Sequence, residues 1–65
     1  MNSKEILRVL RANGFVSIRQ TGSHMRLKKD DKLTTLALHG KKDIAIGTIK
    51  SIEKQTGVKL LWVNT

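Results

Sequence analysis

The sequence has no cysteine, two aromatic residues (Phe15 and Trp62), and only five carboxylates against thirteen lysines and arginines. Without thiols, neither a disulfide staple nor a thiolate metal site is available. Two histidines and five scattered carboxylates make no evident ligand cluster, so metal-independent chemistry without a small-molecule cofactor is expected. Two aromatics are too few for the base-stacking platforms of single-strand binders. No apolar run approaches the roughly 20 residues that span a bilayer, and no signal-peptide pattern opens the chain. A cytoplasmic protein with no membrane partner is therefore expected. Repeats, linkers and low-complexity stretches are also missing, so residues 1–65 read as one domain with a small core.

What the chain does have is positive charge, +8 in all. Such an excess attracts polyanions at long range regardless of their sequence. The cations are spread over every segment and not gathered on one amphipathic helix, which favours a nucleic acid over a membrane surface or an acidic protein.

The chain opens as a helix. Asn2 suits the cap, and Glu5 stands three residues later, where a carboxylate reaches back to the cap amide. Ile6, Val9, Leu10 and Asn13 recur at helical spacing, Leu7 widens the stripe, and Lys4, Arg8 and Arg11 lie opposite. Asn13-Gly14 is a stop signal, which predicts a helix over 3–13.

The period then becomes two. Val16 and Ile18 share one face of a strand, Ser17 and Arg19 the other, and Thr21-Gly22-Ser23 breaks the run. His24, Arg26 and Lys28 next alternate with Met25 and Leu27. After Lys29-Asp30-Asp31-Lys32 comes a third run, Leu33 to Leu38. Turns this short predict an antiparallel meander. Its dry face is expected to hold Val16, Ile18, Met25, Leu27, Leu36 and Leu38. Its wet face should hold Ser17, Arg19, His24, Arg26, Lys28, Thr35 and Ala37.

His39-Gly40-Lys41-Lys42-Asp43 connects to a second helical stripe, Ile46, Ile49, Ile52 and Thr56, stopped by Gly57. Gly47 is poor inside a helix, so the regular part should start near it after an entry turn at Ile44–Ile46. Val58 to Val63 reads either as a fourth strand or as a tail packed over a helix. The order predicts a two-layer α+β domain, α-β-β-β-α, with a three-stranded antiparallel sheet and both helices on one face.

Gly22-Ser23-His24-Met25 has the letters of a cleaved affinity tag, but the capped helix and alternating run before it are fold. Imidazole both takes and gives a proton near neutral pH, as cleavage of RNA at a 2′-hydroxyl requires. Arg19, Arg26 and Lys28 on the same face could grip the phosphate and stabilise its developing charge. Gly22 permits close backbone approach, and Ser23 can donate to a phosphate oxygen. His39, Lys41 and Lys42, near a helix start, offer a second phosphate grip. On local sequence alone, a solvated surface histidine and a satisfied turn histidine remain the simpler readings of His24 and His39.

The succession "SKEILRVLRANGFVSIRQTGSHMRL" followed by "LALHGKKDIAIGTIKSIEKQTG" resembles the HicA-type toxins of bacterial toxin–antitoxin pairs, from about Ser3 to Gly57. Four pieces carry the likeness. These are the Gly-Phe step, Arg-Gln-Thr-Gly-Ser-His, His-Gly-Lys-Lys, and Gly-Thr-Ile-Lys-Ser-Ile at the second helix. The resemblance implies a fold like that of double-stranded-RNA-binding domains. It further implies an endoribonuclease (an mRNA interferase) held inactive by a HicB-type antitoxin, with His24 as the catalytic histidine. Gly22, Ser23, Arg19, Arg26, Lys28, His39, Lys41 and Lys42 would then contact RNA. Met25 stands where family members often carry a second histidine or a bulky apolar residue, and residues after Gly57 depart from the common ending. A non-catalytic RNA-binding module and a pure interaction protein with an acidic partner are the competing readings.

Overall fold

The computed structural model describes residues 1–61. Along the chain lie α1 (Ser3–Ala12), β1 (Val16–Thr21), β2 (His24–Lys29), β3 (Lys32–Ala37) and α2 (Ile46–Thr56). The expected α-β-β-β-α order is present, and the strands form one antiparallel sheet in the order β1-β2-β3.

Local chemistry sets the ends of α1. Asn2 accepts from the Glu5 amide at 2.9 Å, and the Glu5 carboxylate accepts from the Asn2 amide at 2.9 Å, so two otherwise orphaned donors are satisfied together. The helix closes at Ala12, one residue earlier than expected, because the Asn13 side chain turns back to donate to the Val9 carbonyl at 2.8 Å. Ile6 and Leu10 are fully buried, with Leu7 and Val9 packed at the margin.

Each hairpin has a two-residue loop. Thr21 pairs with His24 across Gly22-Ser23, and Lys29 pairs with Lys32 across Asp30-Asp31. Gly22 takes φ +57°, a left-handed value that costs glycine nothing, and Asp30 takes φ +55°, which aspartate tolerates better than most residues. A Cβ at Gly22 would meet nothing within 4 Å, so backbone conformation is what requires glycine there.

The core lies between the sheet and both helices: Ile6 and Leu10 from α1, Met25, Leu27 and Leu36 from the sheet, Ile49 and Ile52 from α2, with Phe15 and Leu60. Met25, Leu27 and Leu36 take the dry face as alternation predicts, and Leu38 is half-buried against the same cluster. Thr34, also buried, donates to the Gln55 side chain at 2.7 Å and ties β3 to α2.

Three expectations of facing are overturned. Val16 and Ile18 are exposed, at 60% and 51%, instead of lining the core. Ser17 lies on the helix side, where its hydroxyl donates to the Met25 sulfur at 3.0 Å and accepts from Arg11 of α1 at 3.4 Å. The cause is a β-bulge: Ser17 is opposite Leu27 and Arg19 is opposite Arg26, which leaves Ile18 as an extra residue. The corner that Val16 was expected to fill is filled by Phe15, which is 2% exposed. Ile46, placed in the second stripe, is also exposed; it is the first residue of α2 and sits beyond the sheet-facing pair Ile49 and Ile52.

Gly57 ends α2 with φ +74°, and its amide bonds the Glu53 carbonyl. The chain then folds back so that Leu60 is fully buried, which decides for the packed tail over a fourth strand as far as Leu61. Residues 62–65, including the last part of the expected strand, lie outside the described residues. The Glu53 carboxylate holds this tail, accepting from the amides of Leu60 at 2.6 Å and Leu61 at 3.0 Å. Those two bonds favour its charged form and lower its pKa below the ordinary 4.5, against the opposing effect of desolvation and with help from Lys59 and Lys50. A lowered carboxylate pKa stabilises the fold above the ordinary value, and that stabilisation is lost as pH falls through the lowered one. Hydrogen exchange at Leu60 and Leu61 should therefore accelerate in Glu53→Gln at pH 7. In the wild type it should accelerate selectively only below about pH 4.5. Equal protection in both proteins at pH 7 would show that the carboxylate does not hold the tail.

Candidate active site

The wet face of the sheet is ordered in cross-strand rows, because residues directly opposite in an antiparallel pair share a face. Thr21, His24 and Ala37 form the row beside the first hairpin. Arg19, Arg26 and Thr35 form the next, and Val16, Lys28 and Leu33 the last. The bulge matters here. By absorbing Ile18, it keeps Arg19 on the wet face directly beside Arg26 while Ser17 turns to the helices.

Arg19, Thr21, His24, Arg26 and Thr35 line one open depression of about 170 Å³. Two arginines in one cross-strand row therefore stand next to one histidine in the adjacent row, with a threonine in each row. All five residues are solvent-exposed, and the three strands that carry them are joined by two loops of two residues each. Guanidiniums offer forked donors that match phosphate oxygens two at a time. Threonine hydroxyls can donate to phosphate or accept from a ribose hydroxyl.

Of the residues singled out in the sequence, Arg19, His24 and Arg26 are brought together. Lys28 is on the same face but one row away, outside the depression. Gly22 and Ser23 make the hairpin tip next to His24. Ser23 also accepts, through its carbonyl, from the Leu38 amide at 2.6 Å, which carries the pairing one step past β3. His39 and Lys42 line a different cavity of about 190 Å³, with Leu36, Ala37 and Thr48 at the start of α2. Lys41 is exposed in the turn between them and lines neither cavity. His39 and His24 therefore line different cavities.

Thr21 was not singled out in the sequence, although a two-residue loop at Gly22-Ser23 fixes it opposite His24. Thr35 had been placed on the wet face by alternation, but not as part of a site. Among the described residues, no group of three His, Cys, Asp or Glu side chains could hold a metal ion. No described helix is long and apolar enough to cross a membrane.

Residues 3–58 match the family model described as the HicA toxin of bacterial toxin–antitoxin. The chain belongs to the HicA toxin family. No curated protein matches it at a significant level. The match covers all five elements of the fold and the whole wet face, His24 included. It makes this HicA-family chain the toxin of a bacterial toxin–antitoxin pair, with an antitoxin as its partner.

Proposed function

We propose that this HicA-family toxin is an endoribonuclease that cuts messenger RNA in the depression around His24, and that a HicB-type antitoxin silences it by covering that face. The observation that carries the reading is the convergence of Arg19, His24 and Arg26 in one open depression on a cationic sheet face. RNA is its own nucleophile. The 2′-oxygen attacks the adjacent phosphorus, the bond to the 5′-oxygen breaks, and a 2′,3′-cyclic phosphate forms. His24 takes the 2′-hydroxyl proton, while Arg19 and Arg26 bear the charge that grows on the phosphoryl oxygens. No carboxylate and no second imidazole lines the depression, so the 5′-oxygen takes its proton from water admitted by the open mouth.

Recognition rests on backbone charge and shape, because among the described residues the wet face carries no Phe, Tyr or Trp to serve as a stacking platform. Lys28 extends the cationic path along β2, and Gly22 and Ser23 contact the backbone at the hairpin tip. His39 and Lys42 hold a flanking phosphate at the second cavity, and Lys41 adds positive charge from the exposed turn beside it. A location in the cytoplasm, where messenger RNA is found, completes the reading.

Purified protein incubated with end-labelled RNA at low salt should yield fragments ending in 2′,3′-cyclic phosphate. Salt-dependent binding without any cleavage would instead favour an RNA-binding module. Failure to bind RNA at all, beside a tight complex with the antitoxin, would favour an interaction protein. The Arg19→Ala/Arg26→Ala pair should weaken RNA binding and lower the slope of log affinity against log salt by about two, one for each phosphate contact removed. An unchanged slope would put the RNA elsewhere.

A further inference from the structure

The far end of the wet face has a different character from the depression. Val16 and Leu33 flank Lys28 in one cross-strand row, and they are 60% and 41% exposed. Ile18, half exposed in the bulge, adds a third aliphatic side chain, on the β1 edge beside Val16, while Leu33 stands across Lys28 on the β3 edge. Aliphatic groups gain nothing from a phosphate backbone, and they do not stack bases as aromatic rings do. Nor is this end suited to a second copy of the chain, since each copy would bring Arg19, Arg26 and Lys28 against the same three cations in a molecule of net charge +8. An acidic protein surface with apolar side chains of its own is the complementary occupant.

We infer that Val16, Ile18 and Leu33 are the apolar seat on which the antitoxin anchors, its carboxylates meeting Arg19, Arg26 and Lys28. Lys28 is four positions after His24 on β2, about 14 Å along a strand. A helix of about nine residues covers that length. One antitoxin element seated on the aliphatic row therefore also lies over His24. The toxin face divides accordingly: the cationic end is shared by RNA and antitoxin, and the aliphatic end belongs to the antitoxin. The inference rests on the reading above only in placing RNA at the His24 end.

The test is the Val16→Ser/Leu33→Ser pair, titrated calorimetrically with purified cognate antitoxin and assayed separately on RNA. The dissociation constant for the antitoxin should rise at least tenfold, while RNA cleavage by the free toxin stays within twofold of wild type. In cells, the variant should arrest growth despite co-expressed antitoxin. Both positions are exposed, so the melting temperature should hold; if the serine pair melts early, Val16→Thr/Leu33→Thr keeps strand preference and repeats the measurement. Antitoxin affinity within twofold of wild type would overturn the inference. So would an equal loss of RNA affinity, which would give this end to RNA. A wild-type dimer that the variant converts to monomer would also overturn it, by making a second copy the occupant. A wild-type toxin that cleaves no RNA would sink the ribonuclease reading alone, because the antitoxin titration does not depend on cleavage.

Discussion

RNA cleavage by the His24→Ala protein should fall by about 10²- to 10⁴-fold, the usual contribution of a positioned acid–base group. The physical reason is that the depression contains one imidazole and no other side chain suited to proton transfer near neutral pH. The guanidiniums of Arg19 and Arg26 remain in the variant, so RNA should still bind, with its salt dependence intact. His24 is exposed and pairs with Thr21 and Ala37 through its backbone, so an alanine there leaves the sheet and the melting temperature essentially unchanged. Growth arrest on expression should disappear with the cleavage. The decisive measurement is the single-turnover rate on a short RNA, wild type against variant, at saturating protein. A rate within threefold of wild type would remove His24 from the chemistry and return the face to a binding role.

The second large effect concerns the platform and not the site. Leu27 is fully buried at the centre of the middle strand, in contact with the layer formed by both helices. Its side chain lies on the face opposite Arg26 and Lys28, so its packing holds β2 in the register that presents them. Truncation to alanine at such a position costs about 2–5 kcal/mol through lost burial and the cavity left behind. A chain of 65 residues has only roughly 3–10 kcal/mol to lose, on the usual scale per residue. Leu27→Ala should therefore lower the melting temperature by roughly 10 °C or more, and a large part of the population should unfold at growth temperature. Urea titration of both proteins gives the difference directly. A loss under about 1 kcal/mol would mean that the core collapses around the gap. Saturating antitoxin should restore part of the lost stability, since it binds only the folded toxin.

Much of this architecture could be read from the chain because its signals were local. The Asn2–Glu5 box lies within four residues, each hairpin loop within two, and the Met25/Leu27 and His24/Arg26/Lys28 alternation within one strand. The first strand was misread for the opposite reason. Nothing in "FVSIRQ" marks the extra residue at Ile18, because a bulge is a property of the pairing with β2 and not of β1 alone. Two shifts then acted on the strand. Phe15, just outside it, took the core position, and the bulge reversed the phase between Ser17 and Arg19. Arg19 consequently stands on the expected face although its strand partner Ser17 does not. The tail was undecidable because what fixes Leu60 is a carboxylate seven residues earlier on α2.

Candidate site residues on one sheet face could be grouped by alternation, which is why Arg19, His24 and Arg26 could be named together. The separation of His39 from His24 could not be read that way. It depends on how the chain leaves β3, where the Leu38 amide bonds back to Ser23 and the turn from His39 to Lys42 closes with a 3.2 Å bond between their backbones. Distance along a strand is countable from a sequence; direction after its last residue is not.

The tightness of the two hairpins has a consequence for control. Among the described residues, loops of two residues leave neither hairpin long enough to swing across the depression, so the proposed working surface is as open in the idle molecule as in the busy one. Neither hairpin of such a toxin offers a dormant shape to retreat into. On the proposed reading, whether the cell suffers becomes a matter of headcount: each copy not met by its guardian would be armed, and safety would be set by the ratio of the two proteins.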